Sequence, residues 1–303
     1  MCQIIVFSLV LQVIYQSTEK VILQQTEKIK LIDLEKVIRD KNPKLLKWLP
    51  GFLLRYMKRI VHEKDFNTFL LNNRNKLNHE FINAAIANFE IELSSAGLEN
   101  VPSDGGCIIV CNHPLGGLDG IAVMRELAKK RSDMKALVND ILMNLENMNS
   151  LLIPVNKHGK TAVQNMKLIN QAYASDECTI VFPAGLVSRK QNGVVKDSEW
   201  TKSFVTKAVR HKQVVIPVHV DASNSNFFYN LASMRKMVGV KINLEMFYLV
   251  NETYKQKNKS INLTFGKPIN YSSFTRDKSD YEWAQEVKEH VYSLKHFSSQ
   301  FSP

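Results

Sequence analysis

Two side chains six positions apart carry the chemistry within reach of this sequence. They are His113 and Asp119, in the stretch Cys111-Asn112-His113-Pro114-Leu115-Gly116-Gly117-Leu118-Asp119-Gly120. A neutral imidazole is the side chain best matched to taking a proton near neutral pH. A hydroxyl is a poor nucleophile until a positioned base removes its proton. A carboxylate on the second ring nitrogen fixes the tautomer and stabilises the imidazolium that forms. His113 is thus a candidate general base and Asp119 the group that orients it. The same two residues also suit plainer roles, a turn residue before proline and a helix cap.

The elements around the pair must place it. Cys107-Ile108-Ile109-Val110 is a short apolar run bounded by Gly105-Gly106, the pattern of a buried strand. Ile121 to Ala128 has the pattern of a helix. The pair therefore lies on a strand-to-helix turn, and open α/β sheets bind ligands at the carboxyl ends of strands. Further strands are expected at Phe89–Leu93, Lys135–Val138, Leu151–Lys157, Cys178–Pro183, Val214–Val220 and from Ile261. Covering helices are expected over Thr161–Ala174, Ser198–Arg210, Phe227–Met237 and Asp280–Leu294, and a short helix over Asn139–Met148. The fold class is α/β: a mixed, largely parallel sheet with helices on both faces, plus an N-terminal helical region.

The chain has 303 residues, 45% of them hydrophobic, enough for one large α/β domain and a smaller helical piece. Its net charge of +11 suits an anionic surface. Basic clusters are not interleaved with aromatics and no nucleic-acid motif occurs, so a membrane is expected and nucleic acid is not. Residues 1–30 form an extension whose apolar run, Ile4 to Ile14, is too short to span a bilayer and lacks the flanks of a signal peptide. Residues 31–88 are expected as several short helices. Within them Phe52 to Val61 has an apolar stripe with Arg55, Lys58 and Arg59 on the other face, and Trp48 lies upstream. Such a helix either lies in a membrane interface or packs its stripe on a core. Residues 89–303 form the domain that holds the pair. Cys2, Cys107, Cys111 and Cys178 lack zinc-site spacing and suit small buried positions in a reducing compartment. No metal site is expected. His219 lies in an apolar strand and is expected in the core or at the strand end.

Asn-His followed closely by Asp resembles the glycerolipid acyltransferases, the superfamily of glycerol-3-phosphate and lysophosphatidic acid acyltransferases. Four residues usually separate His and Asp there; five do so here. The variant Asn-His-Pro-Leu-Gly-Gly-Leu-Asp-Gly resembles a bacterial branch often labelled hemolysin-like, which includes O-acyltransferases of amino-acid-containing lipids. Gly97-Leu98-Glu99-Asn100-Val101-Pro102 resembles a phrase that precedes the His/Asp strand in the family. Leu151 to Lys157 corresponds in order to the second family block, with Lys157 in the place of its arginine. Phe182-Pro183-Ala184-Gly185 followed by Ser188-Arg189 resembles the third block, Phe-Pro-Glu-Gly then Ser-Arg, with Ala184 in place of Glu. Val214 to Val220 resembles the fourth, and Phe265-Gly266-Lys267-Pro268 recurs near the end of such domains.

The resemblance implies transfer of a fatty acyl group from acyl carrier protein or coenzyme A to a hydroxyl of a lyso-lipid, with no cofactor beyond the thioester co-substrate. The acceptor would be a lyso-aminolipid, such as a lyso-ornithine or lyso-glycine lipid, or a lysophospholipid. His113 and Asp119 would be catalytic. Asn112, Gly116, Gly117, Lys157, Phe182, Pro183, Gly185 and Arg189 would contact substrate, with Arg189 and Lys157 holding an anionic head and backbone N–H groups of the two glycine turns facing the oxyanion. Lys157 can equally be a solvated loop residue. A cytoplasmic enzyme, peripheral on the inner face of the cytoplasmic membrane, is expected. A thioesterase or lipid hydrolase with the same pair, or a non-catalytic membrane-binding protein, would share much of this pattern.

Overall fold

A computed structural model of the chain describes residues 32–41, 43–155, 162–191, 193–239 and 243–295. Lys157 and the 1–30 extension lie outside these. The described residues fall into two compact units, one ending at Asn75 and the other beginning at Lys76.

Among its described residues the first unit contains four short helices: α1 (Leu34–Lys41), α2 (Pro43–Trp48), α3 (Gly51–Ile60) and α4 (Glu63–Asn72). Side chains tie its start to α4. Asn67 exchanges two hydrogen bonds of 2.8 Å with the backbone of Ile32, and Glu63 accepts from Leu34 N–H at 2.9 Å. Lys58 pairs with Glu35 at 2.6 Å.

The second unit opens with α5 (Asn78–Asn88), which buries Phe81, Ile82 and Ala85. Its sheet has seven strands: β1 (Glu92–Ala96), β2 (Cys107–Cys111), β3 (Met134–Val138), β4 (Leu152–Pro154), β5 (Cys178–Val181), β8 (Val214–Asp221) and β9 (Ser260–Phe265). A separate hairpin joins β6 (Arg189–Gln191) to β7 (Val194–Lys196). The sheet order is β1-β9-β8-β2-β5-β3-β4. Strands β8, β2, β5, β3 and β4 are mutually parallel, while β9 runs antiparallel to β8 and pairs in parallel with β1. The sheet is therefore mixed and mostly parallel.

Strand β2 is central and every residue of it is buried. Successive side chains point to opposite faces, so both faces are covered. On one face Ile108 and Val110 join a core with Tyr173 of α7 (Ala162–Ala174), Phe204 of α8 (Ser203–His211) and Val287 of α11 (Asp280–Ser293). From β2 the chain runs through α6 (Gly117–Leu127) to β3 on one side, returns to β5, and later reaches β8 on the other side. The carboxyl end of β2 is thus where the sheet order reverses, the place where such sheets bind ligands.

Local differences from the sequence reading have physical causes. The first strand begins at Glu92 rather than Phe89. Phe89 caps α5, Glu90 is left-handed at φ 49°, and pairing with β9 sets the register Glu92↔Ser260. Helix α6 begins four residues before the expected Ile121, which puts Asp119 in its first turn. Residues 139–148 form two 3-10 turns, Asp140–Asn144 and Glu146–Leu151, instead of one helix. Helix α8 begins at Ser203, because the backbone N–H of Trp200 goes to Gln285 and that of Thr201 to Pro183. The hairpin at 189–196 was not expected at all. Cys107, Cys111 and Cys178 are buried free thiols.

Candidate active site

The site is built where β2 ends. Asn112 fastens the strand end to β8: its Nδ2 donates to Val220 C=O at 3.0 Å and its Oδ1 accepts from Val220 N–H at 2.7 Å. Asn112 was expected to contact substrate. It is 3% exposed and both amide atoms serve this backbone clamp instead. The chain then turns through Pro114 and Leu115 to Gly116, whose φ of 88° and ψ of −130° only glycine adopts readily. A side chain there would also meet Leu249 at 2.9 Å.

This turn closes the five-residue gap. His113 Nδ1 lies 3.0 Å from Asp119 Oδ2. The same oxygen accepts from Leu115 N–H at 2.9 Å and Gly116 N–H at 3.0 Å, so the third residue of α6 folds back over its own helix start. Asp119 is fully buried. Burial raises its carboxyl above the ordinary carboxylate value, while His113 and the two backbone N–H groups pull it down. The helix start favours the charged form as well. A carboxylate can only accept, so Nδ1 carries the proton and Nε2 presents a lone pair. The imidazole is 18% exposed, and among the described residues Nε2 has no hydrogen-bond partner.

Three further groups hold the backbone of His113 and Pro114. Asp197 Oδ1 accepts from His113 N–H at 3.2 Å, Ser188 N–H donates to His113 C=O at 2.8 Å, and Asn224 Nδ2 donates to Pro114 C=O at 2.9 Å. Asp197 is completely buried and also accepts from Ser188 Oγ at 2.5 Å and Trp200 Nε1 at 2.9 Å. Phe182 lays its ring on the imidazole, with centroids 4.5 Å apart. Neither Asp197 nor Asn224 was singled out from the sequence. Trp200, three residues after Asp197, is the sole local hint of that contact, and Asn224 sits in a polar loop with no pattern of its own.

The other expected residues separate. Gly117 is exposed at the first position of α6, with open space beside it. Pro183 and Gly185 shape a tight turn in which Gly185 N–H donates to Phe182 C=O at 3.0 Å. That bond, and the one from Gly116 N–H to Asp119, remove two of the expected oxyanion donors. Gly117 N–H remains, since the first N–H groups of a helix lack intrahelical partners. Arg189, expected to hold an anionic head, is engaged within the protein. Its Nη2 pairs with Glu245 at 3.0 Å, its Nη1 donates to Val187 C=O at 2.6 Å, and its guanidinium covers the Phe228 ring. Glu245 is fully buried and also pairs with Arg235 at 2.8 Å. Burial of Glu245 is outweighed by its backbone N–H and the two arginines, which hold it below the usual glutamate value. Arg189 therefore braces the loop over the site. His219 is buried in β8, as expected, with its ring 5.9 Å from that of Tyr292.

A partly exposed imidazole, oriented by a buried carboxylate at the carboxyl end of a central parallel strand, defines a site suited to deprotonating a hydroxyl. A family profile described as Acyltransferase matches residues 36–299, and the chain belongs to that acyltransferase family. A lyso-glycine lipid O-acyltransferase of Bacteroides thetaiotaomicron is 42% identical over 259 residues, 85% of this chain and 95% of that protein. A protein of the same name from Phocaeicola vulgatus is 43% identical over 259 residues, 85% of this chain and 93% of that one. Among solved structures, the 1-acyl-sn-glycerophosphate (LPA) acyltransferase PlsC of Thermotoga maritima aligns with 83% of this chain and 95% of its own, at a TM-score of 0.43 and 14% identity. This chain is an acyltransferase.

Proposed function

We propose that this enzyme moves a fatty acyl group from an acyl carrier protein or coenzyme A thioester to the hydroxyl of a lyso-glycine lipid. The acceptor class is taken from the two relatives named above. The observation that carries the mechanism is the 3.0 Å contact between His113 Nδ1 and Asp119. With Nδ1 held, Nε2 takes the proton of the acceptor hydroxyl as its oxygen attacks the thioester carbonyl. Asp119 stabilises the imidazolium formed. The tetrahedral oxyanion is met by Gly117 N–H at the positive end of α6. Collapse breaks the carbon–sulfur bond, and the imidazolium returns its proton to the leaving thiolate. Phe182 walls the base on one side, its ring tilted 34° to the imidazole. Ala184, without a carboxylate, suits an acceptor that lacks a glycerol backbone.

The lipid substrate also calls for contact with a membrane on its inner face. No helix among the described residues is long and apolar enough to cross one. Helix α3 and the end of α2 favour the interfacial reading. Trp48, the last residue of α2, is 86% exposed, and on α3 Phe52 and Tyr56, four residues apart, are 68% and 45% exposed beside exposed Arg55 and Arg59. The decisive experiment crosses two donors, acyl carrier protein and coenzyme A thioesters, with lyso-glycine lipid, lyso-ornithine lipid and lysophosphatidic acid. The expected result is acylated lyso-glycine lipid as the dominant product. Free fatty acid with no acylated product would make the enzyme a hydrolase, and preference for lysophosphatidic acid would overturn the acceptor.

A further inference from the structure

Helix α9 (Asn226–Met237) has two apolar faces. Phe228, Tyr229, Ala232 and Arg235 point inward and are buried. At 3.6 residues per turn, Phe227, Met234 and the following Val238 share a different stripe. They are 50%, 55% and 62% exposed, with Met237 beside them at 81%. A surface helix in water normally turns charged and polar residues outward.

The stripe does not end with the helix. Phe247 and Val250 are also exposed, and the Phe227 ring meets the Tyr248 ring edge-on with centroids 5.1 Å apart. The next residue, Leu249, is the side chain that a Cβ on Gly116 would strike. Leu249 thus links the stretch that carries Phe247 and Val250 to the turn that holds His113. Cations border it. Lys255 Nζ lies 5.5 Å over the Phe227 ring, and exposed Lys236 belongs to the same helix.

We propose that this face, formed by Phe227, Met234, Met237, Val238, Phe247 and Val250, rests in the interface of an anionic phospholipid bilayer and delivers the catalytic turn to its lipid acceptor. The proposal rests on the reading that the acceptor is a membrane lipid, and it adds a contact made by the catalytic unit itself, separate from α3. Exposed apolar patches rimmed by polar residues mark interaction sites, and lysines beside aromatics suit anionic headgroups. Leu249, next to Val250, lies against Gly116 of the catalytic turn, so a bilayer seated on this face lies beside the site and can present a lyso-lipid hydroxyl with its chain still in lipid.

The test uses the full chain with Met234→Glu and Val238→Glu combined, and Met234→Leu with Val238→Leu as control. Both positions are exposed, so unchanged melting temperature checks folding. Co-sedimentation with vesicles of phosphatidylglycerol and phosphatidylcholine should fall at least about tenfold for the glutamate variant and hold for the leucine variant. Turnover of vesicle-embedded lyso-glycine lipid should fall with it, while turnover of a soluble short-chain analogue stays unchanged. Unchanged sedimentation would overturn the proposal, as would equal loss on both substrates. A wild-type dimer that the glutamate variant turns into a monomer, with vesicle binding intact, would assign the face to a second copy of the chain instead. Sedimentation needs no turnover, so a wild type that binds vesicles but transfers no acyl group would refute the acceptor reading alone.

Discussion

Asp119 receives three hydrogen bonds on one oxygen, within a turn of seven residues, while shut away from water. Burial raises its carboxyl above the ordinary value. The folded chain then keeps this proton at pH values where the unfolded chain has released it. That difference contributes stability at low pH, which is lost as pH rises through the folded value. Asp119→Asn has no such proton. The melting temperature of the variant minus that of wild type should therefore climb from about pH 4 upward, read by thermal denaturation across a pH series. A flat difference would contradict the raised carboxyl. His113 and Asp119 were legible in the sequence because their whole geometry is local. Asp197 and Asn224 were not: they reach the turn from 84 and 110 residues away, with Trp200 beside Asp197 as the one nearby hint. The engagement of Arg189 was hidden for the same reason, since the carboxylate that pairs with it lies 56 residues downstream.

At the scale of elements, the two glycines of the turn divide the work. Gly116 is held at φ 88° and ψ −130°, and a methyl there would also press on Leu249. Gly117 begins α6 with nothing within 4 Å of a Cβ. Gly116→Ala should destabilise the fold by about 1–3 kcal/mol, through strain in a region closed to other residues. Gly117→Ala should be neutral or stabilise by up to about 1 kcal/mol, because it restricts the unfolded chain. Urea denaturation of the two variants measures both, and equal effects would show that the turn does not depend on Gly116. Buried strands such as Cys178–Val181 were readable because they are unbroken apolar runs. The β6–β7 hairpin was not. Its three-residue strands carry Arg189, Lys190, Gln191 and Lys196, and its place is fixed by tertiary partners such as Glu245 and Glu289.

Across the whole molecule, the sheet order decides which strand end becomes the site. Sequence patterns announced a largely parallel sheet, yet not that β2 lies at its centre with β5 and β8 on either side. That centrality gives His113 a buried, rigid support and lets loops from β5 and β8 supply Phe182, Ser188 and Asn224. A positive chain with an exposed aromatic stripe on α3 and an apolar face on α9 then suits a lipid surface.

The account stands on His113 as the base that activates a lipid hydroxyl. Its most direct test is the turnover of His113→Ala with lyso-glycine lipid and the preferred acyl thioester, alongside a melting curve. We predict a rate lower by about 10² to 10⁴ with folding intact. A variant that melts like wild type and keeps a rate within tenfold of it would contradict the mechanism.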